Sequence, residues 1–161
     1  MASKQKTKGN SFERKIAKKF TEWSGFAWRK TFGSGNMRFK TRSLNEIGDL
    51  KSEREVPFVI ECKFHKDLSY SKIMKGDCGK LDNWILEMES DQKRSKKLGL
   101  LIFKTNLSPI FVLLSPRYNR AGKREHFKNI NNLRSRNFVD YKGRTIVALD
   151  NLMKQPFEVI L

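Results

Sequence analysis

Asp49-Leu50-Lys51-Ser52-Glu53-Arg54-Glu55-Val56-Pro57-Phe58-Val59-Ile60-Glu61-Cys62-Lys63 is the stretch that decides how this chain folds. Its second half, continued to Phe64, is rich in β-branched and aromatic residues and reads as a strand. Strand side chains alternate between faces. Phe58, Ile60, Cys62 and Phe64 therefore form one apolar face, while Val59, Glu61 and Lys63 share the other. One account of that acid and lysine is a salt bridge on a solvated sheet face. The other account adds Asp49, from the short run Ile47-Gly48-Asp49-Leu50, as part of a neighbouring strand. If the two segments pair as a hairpin, Asp49 and Glu61 converge at one end. Two carboxylates there make a hard, oxygen-rich site suited to Mg²⁺ or Mn²⁺. Lys63 would point at the same spot, where it could orient a water or offset phosphate charge, as metal-assisted phosphodiester cleavage requires. Asp/Glu-x-Lys triplets are frequent, so the triplet alone leaves both accounts standing.

The rest of the composition narrows the partner. The chain has 161 residues, which fits one domain with a proper core. Lys and Arg number 34 against 17 acids, a formal charge of +17. An excess of that size points to a polyanion, nucleic acid first and an anionic membrane surface second. No apolar stretch approaches the ~18 residues of a membrane span, and no strongly amphipathic basic helix offers a free apolar face to a lipid surface. The basic N-terminus, residues 1–9, has no apolar signal-peptide core behind it and reads as a flexible arm. An intracellular, reducing setting follows, with Cys62 a buried thiol rather than half of a disulfide. Cys62, His65, Cys78 and His126 lack the tight spacing of a zinc site.

Upstream of the central stretch, Ser11 to Trp23 reads as a helix that Ser11 can cap, with Phe12, Ile16, Phe20 and Trp23 as its inward stripe. Glu13 falls in its first turn, where a carboxylate suits the helix dipole. Gly25 ends it, and Phe26 to Arg29 reads as a short strand. Gly33-Ser34-Gly35-Asn36, followed by Arg38, Lys40 and Arg42, is loop chemistry that lets a backbone and three cations approach phosphates.

Downstream, His65 to Gly79 is polar and reads as a loop with room for a turn of helix. Leu81 to Leu98 reads as a second helix, its stripe Leu81, Trp84, Ile85 and Met88 continued in polar form by Gln92 and Ser95, with Gly99 as its stop. Leu100 to Phe103 and Ile110 to Leu114 read as antiparallel strands around the turn Asn106 to Pro109. Residues 115–144 read as a basic surface loop or irregular helix. Thr145 to Leu149 reads as a last strand, with Asp150 capping a closing turn.

This order, with Glu13, Gly33-Ser34-Gly35, Asp49 and Glu61-Cys62-Lys63 in place, resembles the PD-(D/E)xK nuclease superfamily, and within it the archaeal-type Holliday-junction resolvases and small phage-encoded relatives. The resemblance covers roughly Gly9 to Leu114. Gly48 departs from it, standing where the family's proline precedes the aspartate. The resemblance implies an α/β fold, a restriction-endonuclease-like mixed central sheet flanked by helices with an αβββαβ core, in a single nuclease domain over residues 1–161. It implies that Asp49, Glu61 and the Cys62 carbonyl bind Mg²⁺, with Mn²⁺ as a substitute, and that Glu13 assists through water. Lys63 would position or activate the attacking water and Ser34 would sit near the scissile phosphate. DNA contacts are expected from Arg14, Arg29, Lys30, Gly33, Ser34, Arg38, Lys40, Arg42 and Gln92. The implied activity is cleavage of four-way DNA junctions by a homodimer, in the host cytoplasm for a phage-encoded protein. Against it stand a PD-(D/E)xK nuclease acting on other DNA structures and a non-catalytic nucleic-acid-binding module on the same fold.

Overall fold

The computed structural model describes residues 4–31, 47–118, 124–125, 127 and 138–161. Helix α1, Lys4–Ser24, opens the chain. Phe12, Ile16 and Phe20 recur every four residues and are buried together with Ala17. That stripe holds the helix on the sheet, since short helices draw most of their stability from such packing. The helix starts at Lys4 rather than Ser11, so residues 4–9 are helical and not a flexible arm. Glu13 is then well past the first turn, and a dipole that fades within one turn no longer explains it.

Strand β1, Trp28–Lys30, pairs antiparallel with β2, Leu50–Ser52. Strand β3, Phe58–His65, is one edge of a five-stranded mixed sheet. The short helix α2, Tyr70–Met74, is capped by the Ser69 hydroxyl and leads to α3, Gly79–Ser95. These helices carry the chain back to β4, Leu98–Thr105, which lies parallel to β3. Strand β5, Phe111–Ser115, returns antiparallel to β4. A two-strand ribbon follows, β6 at Arg117–Tyr118 and β7 at Arg124–Glu125. Strands β8, Val139–Tyr141, and β9, Arg144–Ala148, form a hairpin turned by Lys142 and Gly143, both with positive φ. The sheet runs β3-β4-β5-β9-β8. Helix α4, Leu149–Leu152, and a 3-10 turn at Phe157–Ile160 close the chain. Where a loop or irregular helix was expected over residues 115–144, the described part is thus mostly strand. Asp150 does not cap α4 and instead pairs with Lys19 at 3.0 Å.

Both faces of the sheet are covered. Phe58, Ile60, Cys62, Leu100 and Ile102 pack against α1 and the C-terminal segment. Leu101, Phe103 and Leu113 pack against Leu81, Ile85 and Met88 of α3. Strand β4 lies between two layers and reads as a nearly unbroken apolar run, as parallel strands covered on both sides do. Gly99 belongs to this strand and does not terminate the helix; Lys96, in a left-handed conformation, does that. A Cβ at position 99 would lie 2.7 Å from the Met88 sulfur and 2.8 Å from the Gln92 amide carbon, so a glycine here lets α3 approach the sheet closely. Among the described residues no helix is long and apolar enough to cross a membrane.

Candidate active site

The expected hairpin between the Asp49 and Glu61 segments does not form; β2 pairs with β1. A closer junction takes its place. The Asp49 backbone lies between β1 and β3: its N–H donates to the Ile60 carbonyl at 2.8 Å, and its carbonyl accepts from Thr31 N–H at 2.8 Å. Gly48 makes this approach possible. Its φ is +89°, and a Cβ there would lie 2.9 Å from the Ile60 oxygen. Proline, locked near −65°, could not hold this backbone.

On β3 the N–H and C=O of alternate residues point to the same side. Ile60 offers its carbonyl to Asp49, and Cys62 donates its N–H to Asp49 Oδ2 at 2.8 Å. The Cys62 carbonyl therefore shares the edge of β3 that faces Asp49. Glu61 and Lys63 rise from the α3 side of the same strand, Nζ to Oε1 being 2.7 Å. Lys63 also pairs with Glu87 of α3. Glu13 reaches in from α1, where Lys30 meets its Oε2 at 2.7 Å. That oxygen is buried and has, beyond the ion pair, no hydrogen-bond partner among the described residues.

The electrostatics follow from this crowding. Burial pushes the Asp49 carboxyl well above the usual carboxylate range; the charge of Glu61 pushes it further and that of Glu13 adds to this, against the Cys62 N–H and Lys63. Burial also raises Glu61, partly offset by Lys63. Burial works downward on Lys63, but Glu61 and Glu87 outweigh it and lift its pKa above the ordinary lysine value. The Cys62 thiol is pushed up by burial and then by Asp49, so it is no thiolate ligand.

Two carboxylates and a carbonyl suit a hard cation. Among the described residues no group of three or more His, Cys, Asp and Glu side chains could hold a metal. Mg²⁺ does not need one, since it takes one or two carboxylates and completes its shell with waters and substrate phosphates. The donors present fit that ion and argue against zinc, which wants three or four nitrogen or sulfur ligands.

Arg14 and Arg29 are exposed on α1 and β1. Gln92 is not a surface contact: it is 6% exposed, and its amide nitrogen donates to the Ser115 and Pro116 carbonyls at 3.3 Å each. The stripe that turned polar at Gln92 stays inside the core, where the amide ties α3 to the end of β5. Gly33, Ser34, Arg38, Lys40 and Arg42 lie outside the described residues. Glu87 carried no sequence signal, because its partner Lys63 is 24 residues away and no motif spans them.

A first-helix acid, an aspartate at the strand junction and a Glu-x-Lys on the adjoining strand, set on this mixed sheet, define the PD-(D/E)xK class of nucleases. The family described as "Phage putative PDDEXK endonuclease" matches residues 4–160, and the chain belongs to it. No curated protein and no solved structure gives a match. Members of the PD-(D/E)xK class typically use a divalent metal, and a nuclease family implies DNA as substrate.

Proposed function

We propose that this chain hydrolyses DNA phosphodiesters as an Mg²⁺-dependent endonuclease, that Mn²⁺ substitutes, and that its substrate is branched DNA, four-way junctions foremost. One observation carries the reading: the buried Asp49 accepts the Cys62 N–H with its Oδ2 at 2.8 Å, on the strand whose Glu61 and Lys63 pair at 2.7 Å. Asp49, Glu61 and the Cys62 carbonyl would hold the ion, and Glu13 would join through water. When bound, the ion polarises the phosphate and lowers the pKa of a water. Lys63 would position or activate the attacking water and offset phosphate charge. Ser34 is assigned to the neighbourhood of the scissile phosphate by resemblance. Arg14, Arg29, Arg38, Lys40 and Arg42 grip the backbone, with Gly33 permitting close approach and Lys30 holding Glu13. A homodimer would supply the two sites that paired cuts require. The setting is intracellular, the host cytoplasm for a phage-encoded enzyme.

The Glu61–Lys63 ion pair also suits a second reading, a nucleic-acid-binding module without catalysis. The test is cleavage of a synthetic four-way junction beside linear duplex, in Mg²⁺ and in chelator. The expected result is a junction cut in Mg²⁺ only, with binding that weakens steeply as salt rises. Equal cutting of both substrates would remove the junction preference and leave a nuclease on other DNA. Failure to cut either, together with a stability indifferent to Mg²⁺, would favour the module.

A further inference from the structure

Lys63 has two carboxylates within reach and they are not equivalent. Glu61 stands on the same strand, its side chain 13% exposed; Glu87 reaches over from α3, its side chain 50% exposed. In the proposed reading Glu61 is a metal ligand. An ammonium held at 2.7 Å from its Oε1 would compete with the metal for that oxygen. Removing Lys63 from the site would end the competition but lose the group that faces the attacking water. Glu87 resolves the conflict, because it gives the ammonium a second anchor, on α3.

Resting on the nuclease reading, we propose that Glu87 is a positioning residue: it holds Lys63 when Glu61 turns to the metal, so that the ammonium stays beside the reacting phosphate without blocking the ligand. Lys30 pairs with Glu13 at 2.7 Å. Asp91, one turn beyond Glu87 on α3, pairs with Arg94 at 3.5 Å and also acts on Glu61 as a like charge. Glu87 packs no core, and the buried residues of α3 are Leu81, Ile85, Met88 and Gln92. Glu87→Gln should therefore fold normally.

The test is a double-variant cycle on the full chain, read by calorimetric titration with Mn²⁺ alone. Glu87→Gln should weaken Mn²⁺ binding roughly tenfold, the scale of lost outer-shell support. In a Lys63→Met background the same change should cost little, because no ammonium is left to compete. With DNA, Glu87→Gln should lower kcat and leave KM near its starting value, and Glu87→Asp should recover part of the loss. Equal loss of Mn²⁺ affinity in both backgrounds would mean that Glu87 acts only as a distant negative charge, and would overturn the proposal. Unchanged affinity in Glu87→Gln would do the same while leaving the nuclease reading intact. Absence of Mn²⁺ binding by the unaltered chain, both alone and with DNA present, would instead sink the nuclease reading, and this inference with it.

Discussion

Asp49 and Asp82 lie toward opposite edges of one sheet, and their surroundings drive them in opposite directions. Asp82, in the first turn of α3, accepts from the Tyr141 hydroxyl at 2.9 Å and from the Lys142 ammonium at 2.9 Å. Burial works upward on it, but the Lys142 and Tyr141 hydrogen bonds outweigh burial and hold its carboxyl below the ordinary aspartate value. Asp49 also accepts a hydrogen bond, from the Cys62 N–H, yet burial and then Glu61 drive it upward. A carboxylate that serves the fold is given its cation by the chain, as Lys142 does for Asp82. In the proposed reading, a buried carboxylate set beside a second acid takes its cation from elsewhere.

Asp49→Asn should break this contrast most severely. Cleavage should fall at least about a hundredfold, more than loss of an outer-shell partner costs, while DNA binding is largely retained. The metal-free protein should become more stable at neutral pH, because asparagine accepts the Cys62 N–H without bringing a charge. The sign follows from linkage. A folded pKa above the unfolded one means that the folded state binds more protons, so stability declines as pH rises through that interval. This decline should be present in the metal-free protein above the ordinary aspartate range and shallower in Asp49→Asn. Asp82 contributes the reverse: its stabilisation holds above the ordinary aspartate value and is lost as pH falls through its lowered pKa. Denaturation midpoints in chelator across pH would read both slopes, and identical slopes for the two proteins would remove the contrast.

Gly48→Ala should come next. The residue would have to hold φ near +89° with its Cβ 2.9 Å from a backbone oxygen. Such strain costs on the order of 1–3 kcal/mol, and relief would come by moving the junction that seats Asp49. Stability and cleavage should therefore fall together, measured as a urea midpoint and a single-turnover rate. Loss of stability with full cleavage would show that the Asp49 seat does not depend on this backbone.

The edge strand was legible in the sequence because its period of two is local: Phe58, Ile60 and Cys62 face one way, Glu61 and Lys63 the other. The αβββαβ order was legible for the same reason, each element carrying its own pattern. The partners were not. Nothing in Asp49-Leu50-Lys51-Ser52 says whether it pairs with β3 or with Trp28–Lys30, since either choice buries Leu50. The positive φ of Gly48 was hidden because a glycine reads equally well as a turn or as a missing proline. Gln92 misled because its position on the α3 stripe was sound but its amide found carbonyls inside the core. The Lys142-Gly143 turn before Thr145-Ile146-Val147 was the signal that could have revealed the last hairpin.

The smallest effect should come from Tyr141→Phe, and it probes the other half of the contrast. The phenol is buried in the α3 face of the core, where its oxygen accepts the Cys78 N–H at 3.1 Å and its hydrogen goes to Asp82. Removing one oxygen keeps the ring packing and leaves the Cys78 N–H without its acceptor. A buried donor left unsatisfied costs about 1–3 kcal/mol, with the lower half expected because Lys142 still holds Asp82. The urea midpoint should drop and its slope should not change. Cleavage should stay at the level of the unaltered chain, because β8 and β3 are the two edges of the sheet, separated by β4, β5 and β9. A Tyr141→Phe protein of unchanged stability but altered cleavage would mean that the two edges communicate, and that Asp82 and Asp49 cannot be read as one acid for folding and one for chemistry.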